Sequence, residues 1–131
     1  MDKVLFSSKS VHYETPPDLY AKLNGEFNFN DDPCPIGNGI DGLMRSWGSR
    51  TFVNPPYGKH IGKWMMKALQ ESLLGKTIVC LIPSRTDTAW WHDYLMKASE
   101  IRFIRGRLKF DDHENSAPFP SAIVVFRGEN E

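Results

Sequence analysis

The sequence predicts an α/β fold with a mainly parallel sheet and an antiparallel edge, formed by one domain that covers residues 1–131. Two observations favour this fold. Thr77 to Pro83 is a continuous apolar run, which is typical of a strand buried on both faces, as in parallel sheets. Strand candidates also alternate with helix-spaced segments through short connections, as α/β sheets require.

The first half of the chain predicts a helix, a strand and a long loop. Thr15-Pro16-Pro17-Asp18 is typical of a helix start, with Thr15 as the N-cap and Pro16 in the first helical position. Phe27 to Asp32 alternates aromatic and polar residues before a proline, which indicates a strand that ends in a loop. Cys34 to Trp47 is rich in Gly, Asn, Asp and Ser, so we expect a loop there.

The second half predicts two helices among short strands. Apolar residues from Ile61 to Leu73 follow helical spacing, and Gly75 supplies a stop. Asp87 to Ala98 indicates a second helix with its aromatic residues mostly inward. The remaining strand candidates are Thr51 to Asn54, Ile101 to Ile104, Arg107 to Phe110, and Ala122 to Phe126, with the last two as a possible antiparallel pair.

Asn54-Pro55-Pro56-Tyr57 is the most informative stretch for chemistry. Two prolines fix φ and remove two backbone donors, so the strand must end in a stiff loop. We expect the Asn54 amide and the Asn54 and Pro55 carbonyls to face outward and accept hydrogen bonds from an amino group. Tyr57 offers a ring face to a planar partner. The alternative is a rigid strand-exit turn without chemistry.

Polar residues follow three predicted strands, at Asp32, Asn54 and Ser84. Ligands of open α/β sheets lie beyond the carboxyl ends of the strands, so we expect these residues at one rim. Ser84-Arg85-Thr86 ends a strand and opens a helix, where backbone amides suit an anion and Arg85 suits a phosphate. For Asp32 the alternative is a turn-forming residue that caps nearby amides.

Composition restricts the partners. The chain has 16 basic and 16 acidic residues, so its zero net charge gives no general attraction to nucleic acid. A phosphate-binding surface would need local cations, and Arg102, Arg105, Arg107 and Lys109 form the densest group; the alternative is a solvated strand face. No apolar run is long enough to span a membrane, the two cysteines favour a reduced cytosolic protein, and no His or Cys spacing predicts a metal site.

The order of short motifs along nearly the whole chain resembles the phage-type DNA N6-adenine methyltransferase (Dam) family. The matching pieces are Thr15-Pro16, Asp32-Pro33-Cys34, Asp41-Gly42-Leu43, Thr51 to Gly58, Leu81 to Thr88, Trp90-Trp91-His92, Gly106 to Phe110, and Ser116 to Ala122. Asp32 to Gly39 is similar to the D-P-x-x-G-x-G cofactor turn of amino-methyltransferases, but it contains one extra residue.

The resemblance implies a minimal Rossmann-like class I methyltransferase that uses S-adenosyl-L-methionine to methylate adenine N6 in double-stranded DNA. It also implies a phage or prophage origin, in the cytoplasm of a bacterial host. The implied catalytic residues are Asn54, Pro55, Pro56 and Tyr57, with Tyr57 stacked on a flipped base. The implied cofactor-binding residues are Thr15, Pro16, Asp32, Pro33 and Cys34. The candidate DNA-binding residues come from the strand-end segment and the basic cluster, and they are Ser84, Arg85, Thr86, Arg105, Arg107 and Lys109.

Two other functions remain open at this point. One is a methyltransferase that acts on RNA or on a protein glutamine, whose planar amide would take the place of adenine. The other is a non-catalytic nucleic-acid-binding remnant of the fold, which the irregular glycine turn and the zero net charge leave open. Methyl transfer from labelled cofactor to DNA, RNA and protein separates the three.

Overall fold

The structure is a computed structural model that describes residues 10–35 and 40–128. Strands and helices alternate along most of the chain. In chain order they are β1 (Ser10–Val11), α1 (Pro17–Phe27), α2 (Ile40–Leu43), β2 (Arg50–Val53), β3 (Tyr57–Gly58), α3 (Ile61–Leu73), β4 (Thr77–Pro83), α4 (Ala89–Tyr94), a 3-10 turn (Leu95–Lys97), β5 (Glu100–Phe103) and β6 (Ser121–Phe126).

The main sheet has the strand order β2-β4-β6-β5. Strands β2 and β4 are parallel, whereas β6 runs antiparallel to both β4 and β5. The α/β class is therefore confirmed, but the mainly parallel sheet is wrong for the described residues, which form a mixed sheet. Strand β4 is the second strand of this sheet, between β2 and β6, and all of its residues are buried. Its continuous apolar run therefore indicates a buried strand, but it does not show whether the neighbouring strands are parallel.

Helix α3 and the stop after it agree with the sequence. Its buried residues, among them Trp64, Met65 and Ala68, follow the predicted spacing, and Gly75 has a φ of 95° that favours glycine. The predicted helix from Asp87 to Ala98 is shorter, because Thr88 caps α4 and the chain tightens into the 3-10 turn. Residues 34–47, predicted as loop, contain the short helix α2.

Three local predictions are wrong. Helix α1 has Pro16 at the N-cap position, and the Thr15 hydroxyl accepts a hydrogen bond from Asn54 instead of capping the helix. Residues 27–32 are not a strand, since α1 continues to Phe27 and only Asp31 forms a bridge, with Thr51. Residues 107–110 are loop, because β5 already occupies the free edge of β6.

A buried ion pair connects the loop before β2 to the start of β4. Glu71 is 6% exposed, and its carboxylate accepts hydrogen bonds from the Trp47 N–H and from the Lys76 ammonium, while the Lys67 ammonium lies 3.4 Å away. Burial alone would raise the pKa of Glu71, but these hydrogen bonds outweigh it and lower the pKa. The carboxylate thus holds three elements together in its charged form.

In the described part of the chain, none of the helices combines the length and the apolar character that a bilayer crossing requires.

Candidate active site

The candidate residues lie where the carboxyl ends of the parallel strands β2 and β4 meet, at one end of the sheet. Because β2 and β4 are parallel, Asn54 and Ser84, which follow them, lie at the same edge. The Phe52 N–H donates to the Asp31 carbonyl at 3.0 Å, which places Asp32 beside β2 near that edge. Ser84 Oγ is buried and has no hydrogen-bond partner among the described residues.

The Asn54-Pro55-Pro56-Tyr57 loop is buried along its whole length, so the expectation that it faces outward is wrong. Residues 10–15, which we call the N-terminal arm, pack against part of it. The arm begins with β1, which pairs antiparallel with β3 through Ser10 to Gly58 and Val11 to Tyr57. No local pattern reveals this contact, because Tyr13 and Thr15 lie 41 and 39 residues from Asn54 in sequence.

The two ends of the Asn54 amide have different surroundings. Nδ2 donates one hydrogen bond to the Tyr13 carbonyl and another, of 2.9 Å, to Thr15 Oγ1. Oδ1 is buried and finds no partner among the described residues. A buried acceptor without a donor costs about 1–3 kcal/mol, so its presence calls for a reason. An incoming amino group would supply the missing donor.

Tyr57 belongs to an aromatic cluster. Its hydroxyl donates to the Leu81 carbonyl at 3.1 Å, and its ring lies 5.2 Å from Tyr13 and 5.6 Å from Phe119. Burial raises the pKa of the Tyr57 hydroxyl well above its usual value, so the side chain stays neutral. Part of the ring that was expected to be free is therefore in contact with Tyr13.

A cavity of about 320 Å³ lies beside Tyr57. Its wall combines flat aromatic and proline surfaces with one cation, Arg85, which suits a planar ring with a phosphate nearby. Of the sequence-predicted site residues, Tyr57 and Arg85 line it, whereas Asn54, Asp32 and Ser84 do not. The lining residues are Tyr13, Tyr57, Gly58, Ile61, Pro83, Arg85, Thr88, Trp90, Pro118 and Phe119.

Asp31 and Asp32 are neighbours with opposite situations. Asp31 accepts hydrogen bonds from Arg45 at 2.7 and 2.9 Å and from the Gly48 N–H, and Arg45 holds its pKa below the usual range. The Asp32 carboxylate accepts a hydrogen bond from the Cys34 N–H, but its Oδ1 is buried and has no hydrogen-bond partner among the described residues. Burial raises the pKa of Asp32, so Asp32 is the carboxylate that gains from a cationic ligand.

The turn that contains Asp32 packs closely against Gly42 of α2. A Cβ on Gly42 would lie 2.3 Å from the Pro33 carbonyl oxygen, so only glycine permits this approach. Pro33 and Cys34 are both buried, and burial raises the pKa of the Cys34 thiol to about 12, which keeps it neutral. Gly37 and Gly39, the glycines of the predicted cofactor turn, lie outside the described residues.

The predicted basic patch contains fewer available cations than expected. Arg102 forms a bidentate pair with Glu26 and a further one with Glu100, so its charge is compensated. Arg105 and Arg107 are exposed and make no ion pair within the described residues, and exposed Lys109 donates to the His113 carbonyl at 2.8 Å. Arg85 and Thr86 are exposed as well.

Sequence reasoning missed four residues of the cavity wall, namely Tyr13, Trp90, Pro118 and Phe119. Trp90 is one of the aromatic residues expected to face inward along the helix predicted from Asp87 to Ala98, but it is only half-buried. Pro118 and Phe119 lie in a matching motif, Ser116 to Ala122, to which no role was given. That motif was the available signal, while nothing in the sequence marks Tyr13.

A family model described as DNA N-6-adenine-methyltransferase (Dam) matches residues 5–127, which is nearly the whole chain. No curated protein sequence matches the chain.

Proposed function

The chain belongs to the DNA N-6-adenine-methyltransferase (Dam) family, and we propose that it transfers a methyl group from S-adenosylmethionine to adenine N6 in double-stranded DNA. The observation that carries this proposal is the unpartnered Oδ1 of Asn54, a residue of the Asn-Pro-Pro-Tyr loop that is only 3% exposed. An exocyclic amine has two N–H groups. One would donate a hydrogen bond to Asn54 Oδ1 and the other to the Pro55 carbonyl.

Asn54 would make the amine a better nucleophile. The N6 lone pair is delocalised into the adenine ring, and hydrogen bonds to Asn54 Oδ1 and the Pro55 carbonyl favour the tetrahedral geometry that localises it. The same acceptors stabilise the positive charge that develops on nitrogen. Because the Asn54 amide is neutral, it orients the amine, and the proton leaves afterwards to solvent. Oδ1 is covered in the free protein, so the atoms that cover it have to move when the base binds.

The cavity beside Tyr57 is the proposed place for the extruded adenine. A base inside a duplex cannot reach a buried acceptor, so it has to leave the stack. The rings of Tyr57, Phe119 and Trp90 offer apolar contact in place of the lost stacking, and Arg85 at the wall would hold an adjacent phosphate.

The residues of this chain fit S-adenosylmethionine at Asp32. The buried Oδ1 of Asp32 lacks a donor, and the ammonium of the cofactor's amino-acid part would supply one. Pro16 and Pro33-Cys34 would form the adjoining walls. The bound cofactor supplies an electrophilic methyl group on its sulfonium. We further propose that the Asp31 bridge, β2 and β4 are the remaining parallel part of a minimal Rossmann-like core.

The test is methyl transfer from isotope-labelled S-adenosylmethionine to double-stranded DNA, to RNA and to protein in parallel. The proposal expects label in DNA, recovered as N6-methyladenine, and about 100- to 1,000-fold slower labelling by the Asn54→Ala variant. Label in RNA or in protein glutamine instead would assign the chain to another amino-methyltransferase class. Cofactor binding without methyl transfer to any of the three substrates would contradict the proposal that the chain is a methyltransferase.

Replacing Asp32 with alanine should weaken S-adenosylmethionine binding about 10- to 100-fold, since a charge-assisted hydrogen bond contributes about 1.5–3 kcal/mol. Isothermal calorimetry measures this change. The free protein should not lose stability, because burial raises the Asp32 pKa and its charged form is already disfavoured in the fold. Asp93→Ala, at an exposed carboxylate of α4, is the matched control. An unchanged dissociation constant would return Asp32 to a turn-forming role.

The basic patch gives a salt-dependence prediction. If Arg105, Arg107 and Lys109 contact phosphates, neutralising each with glutamine should weaken binding to all DNA sequences alike and flatten the slope of log affinity against log salt by roughly 0.9. Fluorescence anisotropy over a salt series measures the slope. Lys22→Gln, on the exposed side of α1, is the control. A triple variant with the wild-type slope would show that DNA binds elsewhere.

A further inference from the structure

The orientation of the Asn54 amide decides what it can do. Its oxygen accepts and its nitrogen donates, and the two ends have nearly the same shape, so a rotation by 180° would present donors where an acceptor is needed. An amine that already has two N–H donors could not pair with a donating NH₂ group. The reaction in the preceding proposal therefore requires something that fixes this rotation.

Two atoms of the N-terminal arm do so. The Tyr13 carbonyl can only accept, so Nδ2 is the end of the Asn54 amide that fits beside it. Thr15 Oγ1 receives the second N–H at 2.9 Å. Both donors of the amide are thereby used, and Oδ1 is the only part left for a ligand.

The arm is itself held by residues 111–113, which fix the positions of the two acceptors. The Glu14 N–H donates to Asp112 Oδ1 at 2.8 Å, and the Asp111 N–H donates to the Glu14 carbonyl at 2.9 Å. The Tyr13 ring stacks on His113 with centroids 4.4 Å apart. A preformed arrangement of this kind lowers the cost of aligning the amide during the reaction.

We propose that Thr15 is a positioning residue of methyl transfer, which together with the Tyr13 carbonyl holds the Asn54 amide with Oδ1 toward the target amine. This rests on the proposed function. It differs from the role that the sequence resemblance implies for Thr15, which is contact with the cofactor. The hydroxyl acts as an acceptor for Asn54, so its loss changes turnover, whereas a cofactor ligand would change cofactor affinity.

The experiment compares Thr15→Val, which removes the hydroxyl with little change in shape, with Thr15→Ser, which keeps it. We expect Thr15→Val to lower kcat at saturating cofactor about 10- to 100-fold, as misplaced reacting groups do, and to leave the cofactor Kd within about twofold. Thr15→Ser should restore most of kcat. In an Asn54→Ala background Thr15→Val should cause no further loss, because the two residues act as a unit. If Thr15→Val does not fold, Thr15→Ala takes its place.

A second readout does not depend on activity. Hydrogen exchange of the ¹⁵N-labelled Asn54 side-chain amide, identified by its absence in Asn54→Ala, should be slow in the wild type and in Thr15→Ser. It should be at least about tenfold faster in Thr15→Val, because one of its two hydrogen bonds is gone. Unchanged exchange, or a raised cofactor Kd with unchanged kcat, would overturn the positioning role. A wild type without methyl transfer but with this exchange pattern would overturn the proposed function and leave the amide lock in place.

Discussion

Replacing Asn54 with alanine is expected to lower kcat for methyl transfer about 100- to 1,000-fold, which is the usual cost of removing one preorganised group that stabilises transition-state charge. The reason is the unpartnered acceptor at Oδ1, which alanine lacks. The cofactor Kd should change by less than about threefold, since in our proposal Asp32, and not Asn54, would pair with the cofactor's ammonium. Single-turnover methylation with labelled cofactor and calorimetry measure the two quantities.

Asn115→Ala is the matched control, because Asn115 is exposed and makes no hydrogen bond with other described residues. It should leave kcat unchanged. The alanine at position 54 also frees the arm, so its melting temperature has to be measured beside its rate. Comparable losses of cofactor affinity and turnover would mean that the Asn-Pro-Pro-Tyr loop supports the cofactor and does not select the amine.

Replacing Glu71 with alanine should lower the free energy of unfolding by about 3–5 kcal/mol, the usual result of removing one partner of a buried ion pair. Trp47 would keep a buried N–H without an acceptor, and Lys76 would keep a charge without its partner. Chemical denaturation monitored by tryptophan fluorescence measures the loss. Glu114→Ala, at an exposed carboxylate, should change stability little.

The contribution of Glu71 to the free energy of unfolding should depend on pH in a defined direction. Because the Glu71 pKa is lowered in the folded protein, its stabilising contribution is fully present above the unfolded-state value of about 4.3. It is lost as the pH falls through the lower pKa of the folded state. The stability gap between wild type and Glu71→Gln should therefore narrow as the solution is acidified through that range. A gap that is independent of pH would show that the hydrogen bonds matter and the charge does not.

The parts of the fold that sequence could predict are those set by near neighbours. Helix α3 follows from its apolar spacing, and β4 follows from its apolar run, although the run did not reveal that β6 joins it antiparallel. The parts that failed depend on partners far along the chain. Arg102 lost its place in the basic patch because Glu26, 76 residues earlier, pairs with it. Similarly, Thr15 was assigned to a helix cap because nothing nearby indicates Asn54 as its partner.

The position of the N-terminal arm has a consequence for when the protein becomes active. The arm contacts Asn54 across 41 residues and Asp112 across 98, whereas the parallel pair β2 and β4 is joined through the single helix α3. Contacts between distant positions form at a greater entropic cost, so the sheet should gain order before the arm docks. During refolding, circular dichroism should recover ahead of methyl transfer. On the ribosome, the aligned amide would have to wait until residues 111–113 have been made, however early its own loop emerges.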